Sequence, residues 1–260
     1  MSDDPANLVL MHVEGRVANI VINRPERHNS LTPALLDQFL TVVSSSNGRD
    51  DVDVVVLKAA GTSFSTGGDL SGFLQRRHDI GDYADHLLGK LNDAILSIVN
   101  SRHPFIAAVD GQVCGGSIGL VLAADIVVVT ERASFTPYYV DVGFSPDGGW
   151  AALLPAIIGR GRALSVQLLN ETISPQQAVA WGIASEQAAS GDLEHRLTEL
   201  CARLLEKKRG SLRATKKLLH IPDLRERLEE ERKSFVRQVT TREAIAGIES
   251  FLAKGQSGAG

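Results

Sequence analysis

Along the first two thirds of the chain, apolar positions switch between short continuous or alternating runs and helical spacing, so strands and helices are expected to alternate. Leu8 to Val13 and Val17 to Ile22 are β-rich runs that meet at Glu14-Gly15, which predicts a hairpin. Thr32 can cap a helix with Pro33 at its first position, and Leu35, Leu36, Phe39, Leu40 and Val43 then fall on one face. Asp53-Val-Val-Val-Leu-Lys58 has strand length and suits burial on both faces. The glycine-rich turn Ser65-Thr-Gly-Gly-Asp69 leads into a helical stretch, and Leu87, Leu91, Ile95 and Ile98 mark a second helical stripe. The unit then recurs: Phe105 to Val109 is a strand, Gly111 to Gly116 a turn and Ser117 to Ala124 a short helix. Ile126 to Val129 and Ser134 to Thr136 add strands before a loop rich in Tyr, Pro and Gly, and helices dominate from Ala151. Ser174-Pro-Gln-Gln177 has the form of a capping box, with Gly182 placed to end its helix.

Strands alternating with helices imply an α/β fold with a mostly parallel sheet and crossover connections. Beyond Gly191 the pattern is only helical, over roughly 192–208, 211–219 and 223–253. Leu193, Leu197, Leu200 and Leu204 keep apolar spacing in this charged tail, so it should fold onto the core or onto another subunit. Lys254 to Gly260 reads as a frayed end. The expected organisation is a core over residues 1–190 and a helical region over 191–260 that oligomerises and closes the site.

Composition narrows the function classes. A chain of 260 residues buries roughly three quarters of its unfolded surface, so it needs no metal or disulfide staple. Aromatic residues are only 5% while glycine reaches 24 residues, which favours sheet and helix with tight turns over a β-sandwich. A net charge of −4 and a pI of about 6.0 offer nothing to nucleic acid or an anionic membrane. Cys114 and Cys201 belong to no cluster with metal-ligand spacing, so no metal is expected, and two reduced thiols fit better than a disulfide. The start MSDDPANLVL lacks a basic segment followed by an apolar one, and no window approaches the ~20 apolar residues that span a bilayer. A cytoplasmic protein is expected.

Two glycine turns are candidates for chemistry: Phe64-Ser-Thr-Gly-Gly-Asp69 and Gly111-Gln-Val-Cys-Gly-Gly-Ser117, each between a strand and a helix. Helix N-termini present unpaired N–H groups, and glycine lets a ligand approach them closely. Two such turns converging on one point would cradle a developing oxyanion; taken singly, each is also an ordinary strand-to-helix turn. Gly115-Gly-Ser-Ile-Gly119 matches the nucleophile elbow of a serine hydrolase, but His195 and His220 lie in helical, charged sequence and no HGGG-like loop precedes it. The dinucleotide fingerprint fails at Cys114, and no phosphate-binding G-x-x-x-x-G-K-[ST] is present.

Asn23-Arg-Pro-Glu-Arg-His-Asn29, Phe64-Ser-Thr-Gly-Gly-Asp-Leu70 and Ile106-Ala-Ala-Val-Asp-Gly111 through Gly116, then Ala123-Ala-Asp-Ile126, together resemble the crotonase (enoyl-CoA hydratase/isomerase) superfamily. Gly143-Phe-Ser-Pro-Asp-Gly-Gly149, Leu154-Pro155, Ile158-Gly-Arg160, Ile173-Ser-Pro-Gln-Gln-Ala178 and Trp181-Gly-Ile183 continue the register, so the likeness runs over roughly residues 8 to 188. The resemblance implies a repeated ββα spiral core, a C-terminal helical region that builds a homotrimer or a dimer of trimers, and an acyl-CoA thioester as substrate. Coenzyme A is then part of the substrate, and no further cofactor is implied. The oxyanion donors carry over to the backbone N–H groups of Gly68 and Gly116; losing one such donor typically costs about 2.7–4 kcal/mol.

The sequence departs from the hydratase pattern at both catalytic glutamates, whose positions fall on Gly119 and Tyr139. Asp147, in Ser145-Pro-Asp-Gly-Gly149, falls where two branches of the superfamily keep a functional aspartate. One is the phenylacetyl-CoA epoxide isomerase-like branch, which also lacks the glutamate pair and is the nearest in motif. The other, the 4-chlorobenzoyl-CoA dehalogenases, also uses a histidine whose position here is Asn92. Pro-Asp-Gly is equally a strong turn signal, and Asp141 is the second nearby carboxylate. The resemblance implies an isomerase in which Asp147 shuttles a proton beside the Gly68 and Gly116 donors, with Tyr138, Tyr139, Phe144 and Trp150 as an apolar wall. Thr66 and Asp69 in the first turn are candidate substrate contacts, and Arg27 and His28 are candidate contacts to the CoA diphosphate. An enoyl-CoA hydratase and a non-catalytic acyl-CoA-binding protein are the alternatives.

Overall fold

The structure, a computed structural model, describes residues 7–219 and 221–257. The readings on Met1 to Ala6, on His220 and on the last three residues of the frayed end lie outside the described residues. β1 (Val9–Glu14) and β2 (Val17–Ile22) form the expected antiparallel hairpin. α1 (Pro33–Gly48) starts at Thr32, whose hydroxyl accepts a hydrogen bond from Leu35 N at 3.2 Å.

The chain then repeats one move three times: a buried strand hands over to a shorter strand, then to helix. The units are β3 (Val54–Ala59), β4 (Ser63–Ser65), α2 (Leu70–Gln75) and α3 (Ile80–Val99); β5 (Phe105–Val109), β6 (Gln112–Cys114) and α4 (Ile118–Leu122); and β7 (Ile126–Val129), β8 (Ser134–Thr136) and α5 (Tyr139–Val142). After α6 (Leu154–Ile158), α7 (Arg160–Leu168) and α8 (Pro175–Ala180), β9 (Glu186–Gln187) returns to the sheet. The capping box is present: Gln177 N donates to Ser174 Oγ at 3.2 Å and Ser174 N donates to Gln177 Oε1 at 2.8 Å.

The long strands order as β1-β2-β3-β5-β7-β9, parallel except for the hairpin, while β4, β6 and β8 form a second parallel sheet. This is the ββα spiral that the resemblance implied. The sequence pattern suggested one sheet, because Ser63 to Ser65 and Gln112 to Cys114 read as parts of turns. Three residues carry no period, and such strands exist through their pairing with one another. The long strands are apolar on both faces for a visible reason. Val55, Leu57, Ala107 and Val109 join the main core, while Val54, Val56, Ile106 and Ala108 meet Leu193, Leu197, Leu200 and Cys201 of α9 (Leu193–Leu205).

The tail continues with α10 (Arg209–Leu218), α11 (Leu224–Val239) and α12 (Arg242–Ser257). The single helix expected over 223–253 is two, broken at Thr240-Thr241. Thr241 Oγ1 donates to Gln238 O at 2.8 Å and accepts from Ala244 N at 3.2 Å, closing one helix and capping the next. α12 also runs to Ser257, so its end is helical through the first four residues of the expected frayed segment. Leu224, Leu228, Phe235, Val239 and Ile248 of these two helices are buried in the main core. Among the described residues no helix is long and apolar enough to cross a membrane.

Candidate active site

The hairpin's exit loop braces the first glycine turn. His28 and Asn29 both take left-handed backbone, φ 50° and 55°, which turns the chain sharply after Pro25. Asn29 is buried: its Oδ1 accepts from Arg24 N, and its Nδ2 donates to Ala60 O and Ser63 O, each at 2.8 Å. Leu31 N donates to Gly67 O at 2.7 Å and Asp69 N to Leu31 O at 3.0 Å, so this loop seats residues 67–69. Asp69 caps α2 by accepting from Ser71 N at 3.1 Å and forms a buried ion pair with Arg24 at 2.9 Å. Burial works to raise the Asp69 carboxyl, but the hydrogen bond and charge of Arg24, with the charge of Arg27, hold it below the usual range.

The two glycine turns lie back to back. Gly67 has φ 80°, and a Cβ there would lie 2.8 Å from Cys114 O, so only glycine allows this approach. Gly67, Gly68, Cys114, Gly115 and Gly116 line one cleft of about 650 Å³. Its aliphatic floor is Leu87, Leu88 and Leu91 of α3; its aromatic wall is Phe73, Tyr138, Tyr139, Phe144, Phe235 and Phe251. Phe144 meets Phe235 at a tilt of 53° with centroids 4.8 Å apart, and Tyr138 meets Phe251 edge-on at 5.5 Å.

Asp147 enters this cleft through its own turn. Gly148 (φ 59°) presses on the backbone of Gly116, where no Cβ would fit, and a Cβ on Gly116 would collide with Asp147 Oδ1. The carboxyl therefore rests against the second glycine turn, 5% exposed, and it is the one acid among the described residues lining the cleft. Tyr139 Oη donates to Asp147 Oδ1 at 2.6 Å. Burial pushes Asp147 up to about 7, with the Tyr139 hydrogen bond pulling the other way. The Tyr139 hydroxyl is raised well above its ordinary range by burial and by the adjacent carboxylate.

The other candidates separate. Thr66, Tyr138, Tyr139 and Phe144 line the cleft. Trp150 does not: it is fully buried core, and its Nε1 donates to Gly115 O at 2.7 Å, fixing the second turn from behind. Asp69 is committed to its cap and to Arg24, so its place is structural. Arg27 reaches Asp69 at 3.4 Å, and His28 is exposed with Nδ1 3.3 Å from Ser63 Oγ; neither lines the cleft. Asp141 is exposed and accepts from Asn170 Nδ2 at 2.6 Å. Ser117 is buried, its hydroxyl donating to Cys114 O at 2.7 Å, while His195 is exposed on α9 beside Glu199, which removes the hydrolase reading. Asn92 donates to Leu228 O at 3.1 Å and so belongs to the α3–α11 contact.

Sequence reasoning missed Phe73, Phe235 and Phe251 as lining, and it missed Glu231. Glu231 stands in the charged run Glu229 to Lys233, which reads as a solvated helix face, yet it is 6% exposed. Its carboxylate accepts from Gly149 N at 2.8 Å, Ala151 N at 2.6 Å and Ala152 N at 2.8 Å, on the turn that carries Asp147. No local signal distinguishes it from its neighbours.

Comparison with known proteins adds to this geometry. The family described as enoyl-CoA hydratase/isomerase matches residues 12–258. The chain is 29% identical over 204 residues to 4-chlorobenzoyl coenzyme A dehalogenase-2 of an Arthrobacter species, covering 78% of this chain and 74% of that protein. It is 28% identical over 210 residues to trans-2-decenoyl-[acyl-carrier-protein] isomerase of Streptococcus mutans, covering 80% and 78%. The crystal structure of enoyl-CoA hydratase from Bacillus halodurans superposes with a TM-score of 0.89 at 25% identity, over 94% of this chain and all of that one.

Proposed function

This chain belongs to the enoyl-CoA hydratase/isomerase family, and from that premise we propose that it isomerises a double bond or ring of an acyl-CoA thioester, with Asp147 as the proton shuttle. In this reading the thioester oxygen sits between the N–H groups of Gly68 and Gly116. Negative charge developing on that oxygen is stabilised there, which acidifies the α-carbon proton. Asp147 takes that proton, leaving an enolate, and returns it to another carbon of the conjugated system; the carboxylate ends as it began. An acid with a pKa of about 7 accepts and releases a proton with comparable ease near neutral pH. The Tyr139 hydroxyl holds Oδ1, leaving Oδ2 for the transfer. Helices of residues 191–260 close the site through Phe235 and Phe251, and the Phe73–Phe144–Phe235 wall suits an apolar, unsaturated or ring-bearing acyl group.

The observation that carries this reading is the lone buried carboxyl against Gly116. The hydratase alternative uses two glutamates, and here a Cβ on Gly119 would collide with Gly148 O and Ile95, so the first of those positions has no room for a side chain. Among the family's branches, the phenylacetyl-CoA epoxide isomerase-like one fits best, because it too combines this aspartate with no glutamate pair. The dehalogenase branch is disfavoured by Asn92, whose amide donates to Leu228 O. A homotrimer or dimer of trimers is the assembly that accompanies the reading.

The test compares wild type with Asp147→Asn on 3-enoyl, 2-enoyl, 2,5-dienoyl, aryl epoxide and 4-chlorobenzoyl thioesters, with products resolved and solvent deuterium at the α-carbon counted. Isomerised product, lost in the variant, is expected, and it carries deuterium only as far as the Asp147 proton exchanges with solvent before its return. Hydration by both proteins removes Asp147 from this role. Tight acyl-CoA binding with no turnover of any thioester by wild type supports the non-catalytic alternative.

A further inference from the structure

The turn that carries Asp147 is held by a residue about eighty positions further along the chain. Residues 147–153 form no helix of their own, so the N–H groups of Gly149, Ala151 and Ala152 need an acceptor. Glu231, in the middle of α11, supplies it with both carboxylate oxygens, at 2.6–2.8 Å. Charge-assisted bonds of this length are the strong kind, and three of them converge on one buried side chain. Gly148 is pinned between this grip and the backbone of Gly116, so any movement of the grip displaces Asp147 relative to the oxyanion turn.

We propose that Glu231 is the positioning residue for Asp147: its carboxylate holds the 147–152 turn so that the Asp147 carboxyl stays against Gly116. This rests on the isomerase reading for the chemistry, but not for the geometry. The titratable groups facing Glu231 are Asp147 and Tyr139 from the turn and α5, with Arg227 and Glu230 on its own helix. Burial raises Glu231 to about 7, its three N–H donors pull it down, and Asp147 raises it again.

The full chain is compared as wild type, Glu231→Gln and Glu231→Asp. Three quantities are read: kcat and KM for the best thioester, the melting temperature, and the Asp147 midpoint by carboxyl ¹³C NMR, assigned by its loss in Asp147→Asn. In Glu231→Gln, kcat falls about ten- to a hundredfold while KM changes much less, the signature of a misplaced group and not of lost binding. The Asp147 midpoint moves down, because a carboxyl displaced from Gly116 loses part of the burial that raises it. In Glu231→Asp the charge is kept but the reach is shorter, so kcat and the midpoint both fall, by less than in Glu231→Gln. Unchanged kcat and an unmoved midpoint in Glu231→Gln overturn the proposal, even where melting drops. If Glu231→Gln does not fold, Glu231→Asp decides on kcat alone, and a wild-type kcat there overturns it. A wild type that isomerises none of the thioesters, with the midpoint still moving in Glu231→Gln, removes the isomerase reading and leaves the positioning role standing.

Discussion

Tyr139 and Asp147 lie eight residues apart and form one hydrogen-bonded unit. The tyrosine hydroxyl donates to the carboxylate form, so it favours ionisation and opposes the effect of burial. Tyr139→Phe removes that donor and moves the Asp147 pKa upward. A base must be ionised to act, so the acid limb of kcat against pH, expected near 7 in wild type, shifts to higher pH in the variant. A pH–rate profile of both proteins checks the direction. Gly119 supplies a second prediction. Gly119→Ala pushes a methyl into Gly148 O and Ile95 and is expected to cost about 1–3 kcal/mol, seen as an earlier denaturation midpoint. Gly119→Glu therefore loses stability before it can supply a hydratase acid. Asp147 was legible because its glycine neighbours and family position single it out. Trp150 was misplaced because an aromatic beside a site reads the same whether it faces the cleft or backs the turn.

At the level of elements, α5 and α12 shape the open side of the cleft. Tyr138 takes left-handed backbone, φ 62°, at a cost of roughly 1–2 kcal/mol for a side chain of this kind. Its N–H donates to Asn170 Oδ1 at 2.8 Å and its ring meets Phe251, and the conformation carries both Tyr138 and Tyr139 into the lining. α12 depends on its Thr241 cap. Thr241→Ala is expected to cost about 1 kcal/mol and to loosen the helix that brings Phe251. KM for the acyl-CoA should rise more than kcat falls, which steady-state kinetics together with a melting curve will show. The break at Thr240-Thr241 was readable in hindsight as a cap, but helical periodicity runs straight through it.

Across the whole molecule, buried titratable groups set how stability follows pH. Asp147 is raised on folding, so the native state binds its proton more tightly than the unfolded chain does. Its contribution is present at low pH and is lost as pH rises toward 7. His103 has the opposite sign: burial lowers it to about 4, so the native state resists charging it and stability falls on acidification. The difference between Asp147→Asn and wild type isolates the first effect, and the melting temperature of the variant should gain on that of wild type between about pH 4 and pH 7 and stay level above. Surface apolarity points to assembly. Leu168 and Leu169 end α7 at 67% and 68% exposure, and Leu218 and Leu219 end α10 at 84% and 77%. Light scattering is expected to give a trimer or hexamer, and a pair of glutamates at 218 and 219 should shift it to smaller species.

Sequence alone determined the strand–helix alternation, the capped helices and the two glycine turns, and it singled out Asp147 as the candidate, because each is written in local periodicity, turn chemistry or contiguous motif. Tertiary structure alone decided the second sheet, whose three-residue strands exist only through their partners. It decided which aromatics face the cleft, since Phe235 and Phe251 come from helices more than eighty residues beyond Asp147. It also brought Glu231, one acid in a run of three, onto the turn that holds the catalytic candidate. Those outcomes depend on which distant surfaces meet, and no window of sequence carries that information.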